Sequence, residues 1–286
     1  MKQGKRATRL LILVFLVGLS LLLYPSVSDY WNSFHQSQAI TQYAQGVAKL
    51  DDGTYERLWT QAQRYNQALT TKADRYALSP QEEADYNTQL DVTGDGVMGY
   101  VEIPAIRCSL PICHGTDEAV LQRAVGHIAG SSLPVGGAGS HCVLSGHRGL
   151  PSAKLFSNLD QMVEGDTFFL RVLDETLAYE VDQILIVDPQ DLSALALVPG
   201  QDYCTLVTCT PYGVNTHRLL VRGHRVAAVG DNGPRITADA AQIEPVMVAP
   251  LVAAPMLLLL LGWVVVTTNR KKKFGKGGNH WNETDT

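Results

Sequence analysis

The sequence predicts a mainly β fold, a small β-barrel, with a helical extension before it and an apolar segment near each end. Three observations carry this. Residues 97–103, 143–144, 168–173, 177–187, 203–208 and 219–226 are short runs rich in β-branched and aromatic side chains. Turn residues separate them, with Gly-Asp at 165–166, Asp-Glu at 174–175 and Pro-Gly at 199–200. Helical patterning interrupts the runs only near residues 117–129 and 153–162. Many short strands with few helices suit a barrel.

The elements follow in order. Residues 10–23 are apolar and follow Lys2, Lys5, Arg6 and Arg9. This stretch is short for a span, which needs about 20 residues. It reads as an anchor or as the core of a signal peptide, with small residues at Ser26-Val27-Ser28 for cleavage. Residues 1–29 therefore form a basic end with a signal or anchor.

Residues 30–94 read as a helical extension. Ile40, Tyr43, Val47 and Leu50 keep helical spacing, and Tyr55, Leu58, Trp59, Ala62 and Tyr65 keep it again. Asp51-Asp52-Gly53 marks a break between them. Ser79-Pro80 followed by Glu82 and Glu83 has the cap, proline and acids of a helix start. The extension would serve as a spacer or as a cover over the site. The run from Asp91 to Glu102 nearly fits a calcium loop, with Gly96 at its sixth position. Thr93 stands where an acid or amide belongs, and the exit is β-branched and meets Pro104, so it reads as a turn into a strand.

Residues 95–227 hold the barrel. Residues 228–245 are polar, with Gly230, Gly233 and Pro234, and read as a linker. Residues 246–268 have no charged side chain and precede Arg270-Lys-Lys-Lys273. They read as a transmembrane helix, with a basic cytoplasmic tail at 269–286. Positive charge at both ends predicts cytoplasmic termini and an external middle. That middle carries 14 of the 23 Lys and Arg but 26 of the 28 Asp and Glu. Its acidity argues against nucleic acid as a partner, since phosphates require a basic surface. Five cysteines leave at least one unpaired within the chain. Sequence establishes no pairing, and buried free thiols are the favoured reading for all but Cys209.

Cys209 ends the run Thr205-Leu-Val-Thr-Cys209, after which Pro211 and Gly213 turn the chain away. The next strand returns with Arg218, whose cation raises the thiolate fraction of a nearby thiol. Arg222 shares the face of Arg218 and competes with it. His147 follows a short apolar run, in Ser145-Gly-His-Arg-Gly149. An imidazole of near-neutral pKa can take and return a proton during acyl transfer, though His141, His217 and His224 compete on spacing alone. A thiol nucleophile, an imidazole acid/base and a guanidinium that stabilises an oxyanion are the parts of a cysteine acyl-transfer site. No cofactor or metal is expected.

Five segments resemble the sortases, most closely class C, the pilus-assembly type. They are Gly99-Tyr-Val-Glu-Ile-Pro104, Leu110-Pro-Ile-Cys-His-Gly-Thr116, Gly130-Ser-Ser-Leu-Pro-Val-Gly-Gly137, Ser145-Gly-His-Arg-Gly-Leu-Pro-Ser152 and Thr208-Cys-Thr-Pro-Tyr-Gly-Val-Asn-Thr-His-Arg218. The resemblance implies an eight-stranded barrel outside a Gram-positive-type membrane, with His147, Cys209 and Arg218 as the catalytic set. It implies cleavage of LPXTG-like C-terminal signals on pilin or surface proteins between Thr and Gly. The threonine then joins a pilin lysine amine or, in the alternative, a peptidoglycan amine. A membrane-tethered binding protein with a degenerate site is the non-enzymatic alternative. One departure stands out. Class C sortases commonly carry an Asp-Pro-aromatic lid motif, and residues 30–95 hold none. Tyr86-Asn-Thr-Gln-Leu-Asp-Val-Thr93 stands where a lid would be expected.

Overall fold

The computed structural model describes residues 2–227, 255–259 and 261–262. The expected linker at 228–245 and tail at 269–286 lie outside these residues. So does most of the second apolar segment, whose described part is helical. The chain divides into two compact units, Met1–Val27 with Ile236–Thr286, and Ser28–Arg235.

Helix α1 (Lys2–Val47) runs unbroken through Pro25. From Ile12 onward it is long and apolar enough to cross a membrane, by length and composition. Its later part packs by specific bonds. Asp29 accepts the Lys154 N–H at 2.9 Å, Asn32 donates to the Ser152 carbonyl at 2.7 Å and Gln36 to the Arg123 carbonyl at 2.9 Å. The buried Tyr43 hydroxyl donates to Met98 O at 3.0 Å and accepts the Leu173 N–H at 2.8 Å. The break falls at residues 48–51. Asp51 caps α2 (Asp52–Leu69), so Gly53 lies inside a helix and not in the turn. Helix α3 (Pro80–Asn87) opens with a complete capping box between Ser79 and Glu82. The carboxylates of Asp91 and Asp95 fold back on their own turn, where Asp91 accepts the N–H groups of Gly94 and Gly96.

Eight strands among the described residues close a barrel: β1 (Val97–Ile103), β2 (Cys108–His114), β3 (Val125–His127), β4 (Ser140–Ser145), β5 (Thr167–Val172), β6 (Glu175–Val187), β7 (Asp202–Thr210) and β8 (His217–Val226). Their order around it is β1-β2-β3-β4-β7-β8-β6-β5. The pairs β2/β3 and β4/β7 are parallel and the rest antiparallel. Closure removes the exposed sheet edges. The core draws Met98, Leu144, Phe168, Leu206 and Val221 from the strands, and Leu58, Ala62, Tyr86 and Leu90 from the extension. These four residues of the extension thus belong to the same core cluster as the strands. Burial of this kind stabilises by roughly 25 cal/mol per Å² of apolar surface.

Two sequence expectations are corrected. The stretch expected as a helix at 117–129 keeps one helical turn, α4 (Glu118–Leu121), and then becomes strand β3. There Gly126 is required, because a Cβ would lie 2.2 Å from the Gly115 carbonyl oxygen. The expected helix at 153–162 is reduced to a 3₁₀ turn at Leu159–Gln161, with Leu155 in left-handed backbone just ahead of it. The segment that stands where a lid would be expected is anchored in the core at two positions. Tyr86 is 1% and Leu90 0% exposed, and the Tyr86 hydroxyl hydrogen-bonds His127 at 3.0 Å.

Candidate active site

Strand register builds the site. Parallel strands β4 and β7 align Ser145 with Val207. Pairing continues past Ser145, since Gly146 N donates to Val207 O at 3.0 Å and Thr208 Oγ1 donates to Gly146 O at 2.8 Å. His147 and Cys209 each stand two residues beyond that aligned pair. On β7, Cys204, Leu206 and Thr208 are buried toward the barrel interior, so the period of two turns Thr205, Val207 and Cys209 outward. The same alternation on β4 places His141, Val143 and Ser145 outward. Antiparallel β8 sets Arg218 directly opposite Cys209. Directly opposed residues have Cβ atoms about 5 Å apart. The order across the surface is therefore His147, Cys209, Arg218, with His147 just past the end of β4 and the other two on the neighbouring strands β7 and β8.

Below this row lies an apolar patch of Val143, Val207, Leu220 and Leu195, the last supplied by the β6–β7 connection. It fixes the outer face on which Cys209 stands half-buried.

Local packing holds His147. Its carbonyl accepts the Phe156 N–H at 3.1 Å. Gly146 lets the Phe156 ring lie against the backbone, where a Cβ would come within 2.7 Å of it. The Nε2 of His147 is enclosed without a hydrogen-bond partner, and Glu118 Oε2 lies 3.6 Å from it. Arg218 donates to the carbonyls of Asn215 and His217 at 3.3 and 3.1 Å. No carboxylate among the described residues pairs with it, so its remaining donors stay available.

The competitors are otherwise engaged. Arg222 forms a two-bond pair with Asp182 at 2.9 and 3.0 Å and lies 4.3 Å over the Tyr203 ring. His141 is buried between the Ala196 carbonyl and the Thr205 hydroxyl. Burial, reinforced by the charges of Arg75 and Arg222, pushes its pKa down to about 4. His217 is exposed beside Asp188, and His224 lies 4.0 Å from Asp182. Burial pushes the Cys108 thiol up to about 12 and the Cys113 thiol up to about 11. Neither is a nucleophile near neutral pH.

Sequence reading missed two contributors. Glu118 carried no signal, because nothing in its local pattern separates it from the other acids. The connection at residues 70–79 is the other. Arg75 donates to the Leu195 carbonyl, and the chain passes so close to Gly130 that a Cβ there would lie 2.1 Å from the Arg75 carbonyl oxygen. This connection thus reaches the outer patch below Cys209 through the backbone of Leu195. A cavity of about 470 Å³ is lined by Arg148, Thr210, Tyr212 and Leu219, among others. These are chain neighbours of the site residues, so the cavity lies on the opposite face of the same strand ends.

Comparison with known proteins identifies relatives of one family. Residues 101–226 match the Sortase domain family. Sortase D of Bacillus subtilis (strain 168) is 34% identical over 131 residues, which are 45% of this chain and 63% of that protein. The chain thus spans just under two thirds of that relative's length. The crystal structure of sortase C1 from Streptococcus agalactiae is similar, with 52% identity and a TM-score of 0.65, covering 66% of this chain and 98% of that one. The sortase C structure from Streptococcus pneumoniae has 43% identity and a TM-score of 0.59, with 66% and 97% covered.

Proposed function

The chain belongs to the sortase family, and on that basis we propose that it is a membrane-tethered cysteine transpeptidase that builds covalent pili. It cleaves LPXTG-like signals between Thr and Gly and passes the threonine to a pilin lysine. The observation that supports this most is the alignment of Cys209 with Arg218 across β7 and β8, with His147 beyond the end of β4. Similarity to sortase C proteins, one described in terms of pilin substrate specificity, favours the pilus-building type.

The Cys209 thiolate attacks the Thr–Gly carbonyl carbon. Arg218 faces the oxyanion that forms, where a fixed donor stabilises the transition state more than the substrate. The C–N bond breaks as protonated His147 gives its proton to the departing glycine amine. A thioester on Cys209 and a neutral imidazole remain. An incoming amine then attacks the thioester carbonyl. As the C–S bond breaks, Cys209 leaves as thiolate and His147 takes a proton from the amine nitrogen. This restores the starting thiolate and imidazolium.

We place the catalytic region outside the cell with both termini in the cytoplasm. The basic residues before the apolar part of α1 support this. Tyr24, Tyr30 and Trp31, exposed just after it, suit a membrane interface at that end of the span.

The test supplies the full chain in detergent with an LPXTG-type peptide and equal amounts of a lysine peptide and a peptidoglycan-type amine. Product masses are then read. A predominant lysine product supports pilus assembly. A predominant peptidoglycan-type product would assign the chain to wall anchoring instead.

A further inference from the structure

The barrel order is β3, β4, β7, β8, and α4 immediately precedes β3. Glu118 on α4 therefore approaches His147 from the β3 side, while Cys209 and Arg218 lie on the β7 and β8 side. Four groups stand in sequence across the surface: a carboxylate, an imidazole, a thiol and a guanidinium. The guanidinium end suits the developing oxyanion. The carboxylate end has no part in acyl-enzyme formation as described above.

Glu118 is nonetheless held in place. Its Oε1 accepts a hydrogen bond from Gln122, which leaves Oε2 facing His147 Nε2 at 3.6 Å. The backbone beneath it is fixed, since Gln36 donates to the Arg123 carbonyl and Gly126 admits the Leu121 side chain closely. The Glu118 side chain is 72% exposed and that of His147 28%. One carboxylate thus faces both solvent and the base.

We propose that Glu118 is the acceptor subsite, a carboxylate that receives a primary alkylammonium and delivers it beside His147 Nε2. This rests on the reading that an amine resolves a thioester on Cys209. A lysine amine has a pKa of about 10.4 and arrives as a cation at neutral pH. Ion pairing with Glu118 concentrates it next to the base. The ammonium first gives one proton to water. The neutral nitrogen then attacks the thioester carbonyl, the C–N bond forms, the C–S bond breaks and a second proton passes to His147. Water and neutral nucleophiles gain nothing from the carboxylate, so the subsite favours transfer over hydrolysis.

The test is an internal competition with the full chain in detergent. An LPXTG-type peptide is supplied with a lysine peptide and hydroxylamine together near pH 7, where lysine is cationic and hydroxylamine neutral. The ratio of lysine product to hydroxamate is read for the wild type and for Glu118→Gln, which keeps the shape and an acceptor for Gln122. The ratio should fall about threefold to fivefold in Glu118→Gln, the size of an exposed ion pair. Added salt should lower it in the wild type and leave it flat in the variant. An equal ratio in the two proteins, or equal salt dependence, overturns the proposal, even if total turnover changes. If the wild type forms neither product, it is the underlying thioester reading that fails.

Discussion

Replacing Arg218 with lysine separates the electrostatic role of the guanidinium from its charge. Arg218 sits opposite Cys209 at the end of the β7/β8 ladder, with two donor contacts to the carbonyls of Asn215 and His217. Lysine keeps the charge but lacks the planar fork that anchors to those carbonyls while presenting further donors to the substrate. Loss of one fixed oxyanion donor costs roughly 10²- to 10³-fold in kcat, about 3 to 4 kcal/mol. The nearest cation on the same face cannot substitute, because Arg222 is locked to Asp182 and stacked on Tyr203. Folding stability should change by less than about 0.5 kcal/mol, as at most surface sites. The assay is steady-state cleavage of an LPXTG-type peptide, with thermal unfolding as the control. Arg218→Lys should lose kcat with little change in KM or Tm. Near-normal turnover would refute the oxyanion role.

Other perturbations have distinct signatures. Arg222→Ala should show the reverse pattern, losing about 1–3 kcal/mol of stability from a charge-assisted pair, by denaturant unfolding, while retaining most of its peptide turnover. Gly146→Ala forces a Cβ toward the buried Phe156 ring at 2.7 Å. Overpacking of that kind costs about 1–3 kcal/mol, and the shift should also lower cleavage by moving His147. His141 gives a pH signature. Its folded pKa of about 4 lies below the ordinary 6.5, so the unfolded chain binds more protons between these values. Stability is full above pH 6.5 and falls as pH drops toward 4, by an amount on the order of 2–3 kcal/mol. A His141→Gln variant should have a shallower Tm-versus-pH slope in that window, and an unchanged slope would contradict the assignment.

What was legible in the sequence depended on local pattern. Cys209 and Arg218 stood out because a strand end, a Pro/Gly turn and a returning strand fix their pairing over ten residues. His147 was legible only in company with Cys209, since the β4–β7 alignment joins residues more than sixty positions apart. Strand β2 went unread because Pro111, which pairs with Tyr100, cannot donate to a ladder and demotes a run. Strand β3 was missed because three residues give no period. The burial of Tyr86 and Leu90 was not legible, because the polar residues around them gave no hint of the core that claims both. Glu118 lay beyond reach for a different reason: its position beside His147 exists only once α4 and the end of β4 have met.

The central claim is a thioester on Cys209. The direct measurement is the intact mass of the full chain in detergent after brief exposure to an LPXTG-type peptide, followed by peptide mapping. The account predicts a mass increase equal to the peptide acyl group, located on Cys209, absent in Cys209→Ala and discharged by a lysine peptide. An adduct on another cysteine, or cleavage that persists in Cys209→Ala, would contradict it.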